Sequence, residues 1–152
     1  NLMKSQKFYL IFFGEGDLKN SMESLLKNNN LKKYIRFCGF VNIDQISDYY
    51  SLSDIFVLPS LHETFGLVVN EAMIHENAII TSKFVGSYKD FINENTNGFT
   101  FDTFDELRKK LKNLLKNKRK IQKYKNNSFK KIKYWNNDIS FKSFERLFND
   151  IK

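Results

Sequence analysis

The sequence predicts an α/β protein, a Rossmann-like, doubly wound parallel sheet with helices on both faces. Short apolar runs rich in aromatic and β-branched residues recur, of a length that suits strands buried on both faces. Between them lie stretches with apolar residues at helical spacing. The connections are short, and strands that alternate with helices across short links run parallel.

Taken in order, "FYLIFF" (8–13) reads as the first buried strand. "GEGD" makes a tight turn. "LKNSMESLLKNN" (18–29) then carries Leu18, Met22, Leu25 and Leu26 at helical spacing, with Asp17 as the expected N-cap. "YIRFCGF" (34–40) is the next strand, and "IDQISDYYSLS" (43–53) puts Ile43, Ile46, Tyr49 and Tyr50 on one helical face. "DIFVLPS" (54–60) is a buried strand that Pro59 ends. "FGLVVNEAMI" (65–74) reads as a helix, "AIITS" (78–82) as a strand, "SYKDFIN" (87–93) as a short helix, and "NGFTF" (97–101) as a turn plus a short strand. From Asp105 the pattern is helical, with Leu107, Leu111, Leu114 and Leu115 in register. A last helix, 139–151, aligns Phe141, Phe144, Leu147 and Phe148. Sheets of this kind bind ligands beyond the carboxyl ends of their strands, at helix N-termini.

Composition narrows the class. The chain has 152 residues, 41% of them hydrophobic, with 16 Phe and 7 Tyr, enough for one core and unlike a disordered segment. No apolar run approaches the ~20 residues of a membrane span. The first residue is Asn1 and no signal-peptide pattern follows, so a piece of a longer protein is expected. A lone cysteine, Cys38, inside "YIRFCGFV" reads as core packing in a reducing compartment. The charge is uneven. Residues 1–104 carry nine Lys/Arg and twelve Asp/Glu, whereas residues 105–152 carry sixteen and five. The basic third is either a set of solvated helix faces or a surface for an anionic partner, membrane lipid before nucleic acid, because no base-reading motif accompanies it.

"HETFGLVVNEAM" (62–73) places Glu63 and Glu71 eight positions apart. Pro59 closes a strand, Ser60 to Thr64 form a loop, and the helix is expected to start near Phe65. The N–H groups of Gly66, Leu67 and Val68 would then be among the unpaired donors of its first turn, which with the helix dipole favour a phosphate. Eight residues of helix rise ~12 Å. Paired carboxylates of glycoside hydrolysis sit about 5–9.5 Å apart, so an acid/base pair is disfavoured. Two carboxylates about 12 Å apart suit two hydroxyl-bearing ends of one longer ligand, with a phosphate between them. The bland alternative is a capping carboxylate at Glu63 and a solvated helix face at Glu71. "HETFG" lacks the second histidine of a metal helix, and it has no nucleophile elbow. His62 is read as a loop residue, "GEG" as a structural turn that lacks the third glycine of a dinucleotide fingerprint, and Trp135 as packing for the terminal helix.

Together, "GEGD…YIRFCGFV…ISDYYSLSDIFVLPSLHETFGLVVNEAM…IITSKFVG…DFI…NGFTF" resembles the donor-binding half of the family 4 retaining glycosyltransferases of the GT-B fold, over roughly residues 8–115. The resemblance implies a nucleotide-sugar-binding, C-terminal domain over residues 1–152, truncated at its N-terminal edge, with 105–152 as its basic helical tail. It implies retaining transfer of a hexose or related sugar from a UDP-, GDP- or ADP-sugar to a glycan, lipid or polysaccharide acceptor, with no metal and no cofactor. By matching position, Glu63 is the catalytic-site carboxylate that binds the donor sugar, and Glu71 holds the ribose hydroxyls. The backbone of Thr64, Phe65, Gly66, Leu67 and Val68 holds the sugar and diphosphate, and the main chain of Val41, in "GFV", meets the base.

In the family an Arg and a Lys that meet the pyrophosphate charge precede the position of "FYLIFF", and the acceptor half is N-terminal. An N-terminal acceptor domain is therefore an expected partner, and the isolated domain is expected to be inactive. Localisation is expected to be cytoplasmic, peripheral at the inner face of the membrane, with no nucleic-acid partner. A non-catalytic nucleotide-sugar-binding module and a sugar-nucleotide epimerase of the same fold are the alternatives. Family members usually have Gly near Glu76 and Pro near Ala78; here Asn77 is expected to take the left-handed conformation that ends the helix.

Overall fold

The computed structural model describes residues 8–28 and 31–135, together with 145, 146 and 149. Strands and helices alternate: β1 (Leu10–Phe12), α1 (Lys19–Asn28), a 3₁₀ turn (Lys32–Tyr34), β2 (Ile35–Phe37), α2 (Ile43–Leu52), β3 (Ile55–Leu58) and α3 (Leu67–Ile74), then β4 (Ala78–Ser82), α4 (Tyr88–Phe91), β5 (Gly98–Phe101), α5 (Phe104–Leu115) and α6 (Lys118–Lys133). Every strand pairing is parallel. The α/β class read from the sequence is the class observed. The chain divides into two compact units, Asn1–Asp48 and Tyr49–Lys152.

In the first unit β1 pairs with β2, Leu10 against Ile35 and Phe12 against Phe37. The Phe12 and Phe37 rings stack at 4.9 Å. Beyond the carboxyl ends of both strands, the Gly14 N–H donates to the Gly39 carbonyl at 2.8 Å. Met22, Leu26 and Ile46 are half-buried as the helical spacing requires, but Leu18, Leu25 and Ile43 are largely exposed.

The second unit has a three-stranded sheet, β3–β4–β5. All five residues of β4 are buried, which is why "AIITS" does not alternate polar with apolar. Ala78, Ile80, Phe99, Phe101, Leu114 and Tyr124 form its core, with Ile55, Val57, Leu107, Leu111 and Ile121 packed against them. A fully buried aliphatic side chain contributes about 1.5–3 kcal/mol, so this cluster stabilises the unit together with Val69, Met73, Ile79, Val85 and Phe91, which are also fully buried.

Helix starts follow local chemistry. Thr103 Oγ1 accepts from the Glu106 N–H at 3.2 Å, and the Glu106 carboxylate accepts from the Asp102 N–H at 2.9 Å, a reciprocal arrangement like a capping box. Asn117 caps α6 by accepting from the Lys120 N–H at 2.9 Å, so the basic third opens with two helices. The turn into β5 is held by Asn97, which is fully buried: its Nδ2 donates to the Phe91 carbonyl at 2.8 Å and its Oδ1 accepts from the Asn93 N–H at 2.8 Å.

Both ends of α3 depart from expectation. Helix α3 begins at Leu67, two residues after Phe65, because Gly66 takes a left-handed conformation that stops the helix there. At its other end the left-handed residue is Glu76 (φ 57°), not Asn77. The Glu76 N–H donates to the Met73 carbonyl and the Asn77 N–H to the Ala72 carbonyl, the two bonds of a Schellman ending. Asn77 is kept out of that role by its buried side chain, whose Nδ2 donates to the carbonyls of Tyr50 (2.9 Å) and His75 (3.1 Å). Trp135 packs edge-on against Phe91 at 4.8 Å. The helix expected over 139–151 lies outside the described residues apart from 145, 146 and 149. Among the described residues no helix is long and apolar enough to cross a membrane.

Candidate functional site

Because β3, β4 and β5 are parallel, the loops that leave their carboxyl ends share one edge of the sheet. Residues 59–66 leave β3, and residues 83–87 leave β4. The two loops are bonded together. Ser82 Oγ donates to the Ser60 carbonyl. The Glu63 N–H donates to the Phe84 carbonyl at 3.1 Å, and the Gly86 N–H to the Glu63 carbonyl at 2.8 Å. The N–H and hydroxyl of Ser87 both donate to the Phe65 carbonyl. Glu63 thus forms an isolated parallel bridge with Val85. The hinge into α3 is Gly66, buried at φ 87°, where a Cβ would lie 2.9 Å from Val85 Cγ1. Only glycine satisfies both the left-handed backbone and the space.

Among the described residues no side chain caps α3. Among the described residues, the N–H groups of Gly66, Leu67 and Val68 have no acceptor, so three donors remain at the positive end of the helix dipole. That is a ready anion site. Leu67 is 65% exposed and Val68 half-buried, which leaves this end of the helix open. The Phe65 ring meets Phe91 edge-on at 6.0 Å, and Thr64 is exposed with its carbonyl turned to Gly86. Val41 lies in the first unit, half-buried in the loop between β2 and α2.

The two carboxylates have separate partners. Glu63 Oε1 accepts from the Phe65 N–H at 3.3 Å, a local bond that supports part of the capping alternative, although Glu63 does not cap α3 itself. Glu71 does not sit on a solvated face. It is half-buried, and its Oε2 accepts from the Tyr50 hydroxyl at 3.0 Å. Tyr50 is 4% exposed. Burial above all, and then the neighbouring Glu71 charge, push the Tyr50 phenol well above its usual pKa, so it stays a hydrogen-bond donor. Its ring meets Phe56 edge-on at 5.8 Å and stacks on His75 at 5.4 Å.

Glu63, Thr64 to Val68 and Glu71 therefore form one continuous segment around an open helix N-terminus. Sequence reasoning overlooked Tyr50, which it took only as a helical face position, and the 84–87 strap. The adjacent small residues Gly86 and Ser87 after a buried strand were the available signal for the strap. His62 is exposed, and Cys38 is a free, half-buried thiol.

Comparison with known proteins points the same way. A family model described as "Glycosyl transferases group 1" matches residues 1–131. Alpha-monoglucosyldiacylglycerol synthase of Acholeplasma laidlawii is 28% identical over 141 residues, 93% of this chain and 35% of that protein. Among solved structures, TarM aligns with a TM-score of 0.82 at 20% identity, over 97% of this chain and 30% of TarM. The C-terminal domain of the group 1 family protein LpcC from Francisella tularensis aligns at 0.73 and 23% identity, over 84% of this chain and 85% of that domain. Anabaena HepE, solved in complex with UDP-glucose, aligns at 0.70 and 20% identity, over 82% of this chain and 35% of HepE. The fold is that of a GT-B C-terminal domain. The chain spans between 17% and 35% of the length of the curated relatives it matches.

Proposed function

The chain belongs to the group 1 glycosyl transferases, and from that premise we propose that residues 1–152 form the nucleotide-sugar-binding domain of a retaining hexosyltransferase, with 105–152 as its basic helical end. In the whole protein an acceptor domain faces this one, and the sugar passes to a glycan, lipid or polysaccharide. The enzyme works in the cytoplasm, peripherally at the inner face of the membrane. The single observation that carries the reading is the uncapped start of α3, with three free N–H groups, set between Glu63 and Glu71. The diphosphate of a UDP-, GDP- or ADP-sugar sits on those N–H groups. Glu71 accepts from the ribose hydroxyls, and Glu63 from the donor sugar. Glu63 is the catalytic-site carboxylate: its charge lies where positive character develops as the sugar leaves. Support from outside the chain is the UDP-glucose complex of HepE.

Titration of the protein with UDP, GDP and ADP, followed by amide NMR shifts, tests this. Shifts should cluster at Phe65 to Glu71, with affinity near millimolar, about 4 kcal/mol of binding. Shifts confined to α5 and α6 would mean simple charge attraction and would defeat the reading.

A further inference from the structure

We propose that Tyr50 is a positioning residue that makes the Glu71 carboxylate selective for a ribose diol over a 2′-deoxyribose, an inference that rests on the donor-binding reading above. Glu71 Oε2 takes the Tyr50 hydroxyl at 3.0 Å, and among the described residues Oε1 has no hydrogen-bond partner. The last torsion of a glutamate is soft, and its two oxygens offer about four lone-pair sites. A bond to one oxygen removes that rotation. It occupies one lone pair and leaves the other oxygen, with the remaining lone pair, for a ligand.

A vicinal diol carries two O–H donors side by side, the spacing one carboxylate accepts with both oxygens. A 2′-deoxyribose carries one. A carboxylate that turned freely would serve either sugar with little preference, since a single hydroxyl can always find an oxygen. A fixed one gains from the second hydroxyl without ordering anything new, which is how preorganisation contributes to affinity.

Tyr50 can fix Glu71 because it is itself held by β3 and by the turn that follows α3. Its ring lies between Phe56 of β3, at 5.8 Å, and His75 at the end of α3, at 5.4 Å. Its carbonyl accepts from Asn77 Nδ2 at 2.9 Å, and Asn77 is fully buried. His75 also bonds the Glu71 carbonyl through Nδ1, at 2.7 Å, so the helical turn that carries Glu71 is tied to the residue on which Tyr50 stacks. A bond between two side chains so constrained holds direction as well as distance.

The test measures dissociation constants for UDP, GDP and ADP and for their 2′-deoxy forms, on the wild type, Tyr50→Phe, Glu71→Ala and the double variant. The wild type should prefer the ribonucleotide. Tyr50→Phe should weaken ribonucleotide binding about fivefold, the scale of one neutral hydrogen bond, and leave the deoxynucleotide nearly unchanged. It should cause no further loss in the Glu71→Ala background, because it acts through that carboxylate. Glu71→Gln is the second variant. It keeps an acceptor for Tyr50 but turns an amide toward the diol, and it should also lose the preference. Equal weakening of both nucleotide forms by Tyr50→Phe would show a merely structural role and overturn the proposal. So would an undiminished effect in the Glu71→Ala background, or a preference that survives in Glu71→Gln. A ribose preference that depends on Glu71 but survives Tyr50→Phe defeats this inference alone. Failure of the wild type to bind any of the three ribonucleotides, or indifference of binding to Glu71→Ala, defeats the donor-binding reading itself.

Discussion

Gly86 lies so close to the carbonyl of Thr64 that a methyl group on its Cα would sit 1.9 Å from that oxygen and 2.8 Å from its carbon. The contact is backbone against backbone, so no side-chain rotation can relieve it. Gly86→Ala should destabilise the protein by about 1–3 kcal/mol, as overpacking does, or push the 60–66 loop off its strap. Either outcome moves Glu63 and the start of α3, so nucleoside diphosphate binding should fall along with the melting temperature. Unchanged melting and unchanged binding would show that the two loops are not locked.

Glu71→Ala and Glu63→Ala form a paired test of the division of labour. Loss of a charge-assisted bond to ribose should weaken nucleoside diphosphate binding by ~1.5–3 kcal/mol in Glu71→Ala. Glu63→Ala should leave that affinity nearly unchanged, since the ligand has no sugar for Glu63 to hold. Titration calorimetry with the same nucleotide on both variants decides it, and equal losses would contradict the assignment.

Glu76→Gly should stabilise. A residue with a Cβ in the left-handed region costs about 1–2 kcal/mol, and glycine does not meet that penalty. Part of the gain is offset by the greater freedom of glycine in the unfolded chain, leaving about 0.5–1 kcal/mol. The Schellman bonds from Glu76 and Asn77 use main-chain N–H groups, so both survive the substitution. A thermal melt that shifts downward would mean that the Glu76 side chain contributes something its exposed position does not suggest.

Elements were legible in the sequence where burial is uniform. "IFVL" and "AII" announced β3 and β4 because each is an unbroken apolar run, half-buried in β3 and fully buried in β4. The segment from Glu63 to Glu71 was legible as a motif. Its boundaries were not. Phe65 looks like the first helical residue by hydrophobic pattern, but its carbonyl is taken by Ser87, twenty-two positions away. Such long-range main-chain pairing leaves no periodic signature. Tyr50 was hidden for a related reason: a buried aromatic at helical spacing reads as core, and only its neighbours in space reveal that the hydroxyl meets a carboxylate.

The basic helices give a prediction about surfaces. Lys109, Lys112, Lys116, Lys118, Arg119, Lys120 and Lys123 are exposed, and among the described residues none has an ion pair. Lys110, in the same basic third, is instead engaged. It donates to the Thr100 carbonyl and pairs with Glu106 at 2.8 Å. Near an anionic leaflet each cation contributes about 1 kcal/mol. Sedimentation with anionic vesicles at low salt should capture the protein, neutral vesicles should not, and high salt should release it. Equal failure with both vesicle types would leave α5 and α6 as solvated faces.

Acid should remove one small contribution at the start of α5. The Lys110 bond first, and then the Asp102 N–H, hold the Glu106 carboxyl below its usual range. A folded pKa below the unfolded value means that the contribution is complete above about pH 4.5 and disappears as the pH falls through the folded value. Glu106 is about one-third exposed, so solvent screening keeps the effect below about 1 kcal/mol. The melting temperatures of wild type and Glu106→Gln should therefore differ at neutral pH and converge as the pH falls through the folded value. A gap that widened with acid would reverse the assigned sign.

The turn that precedes β5 bears on how the protein ages. Asn97–Gly98 is the dipeptide most prone to deamidation, since an unhindered glycine nitrogen attacks the asparagine carboxamide and closes a succinimide ring. That attack needs the carboxamide free to swing onto the following nitrogen. Here both its ends are engaged, by the Phe91 carbonyl and the Asn93 N–H, and Gly98 is set in the sheet opposite Ile79. The modification therefore waits for this turn to open. Mass-spectrometric appearance of isoaspartate at position 97 would then record how often the edge of the sheet comes apart, a chemical clock for a local opening whose equilibrium population is small.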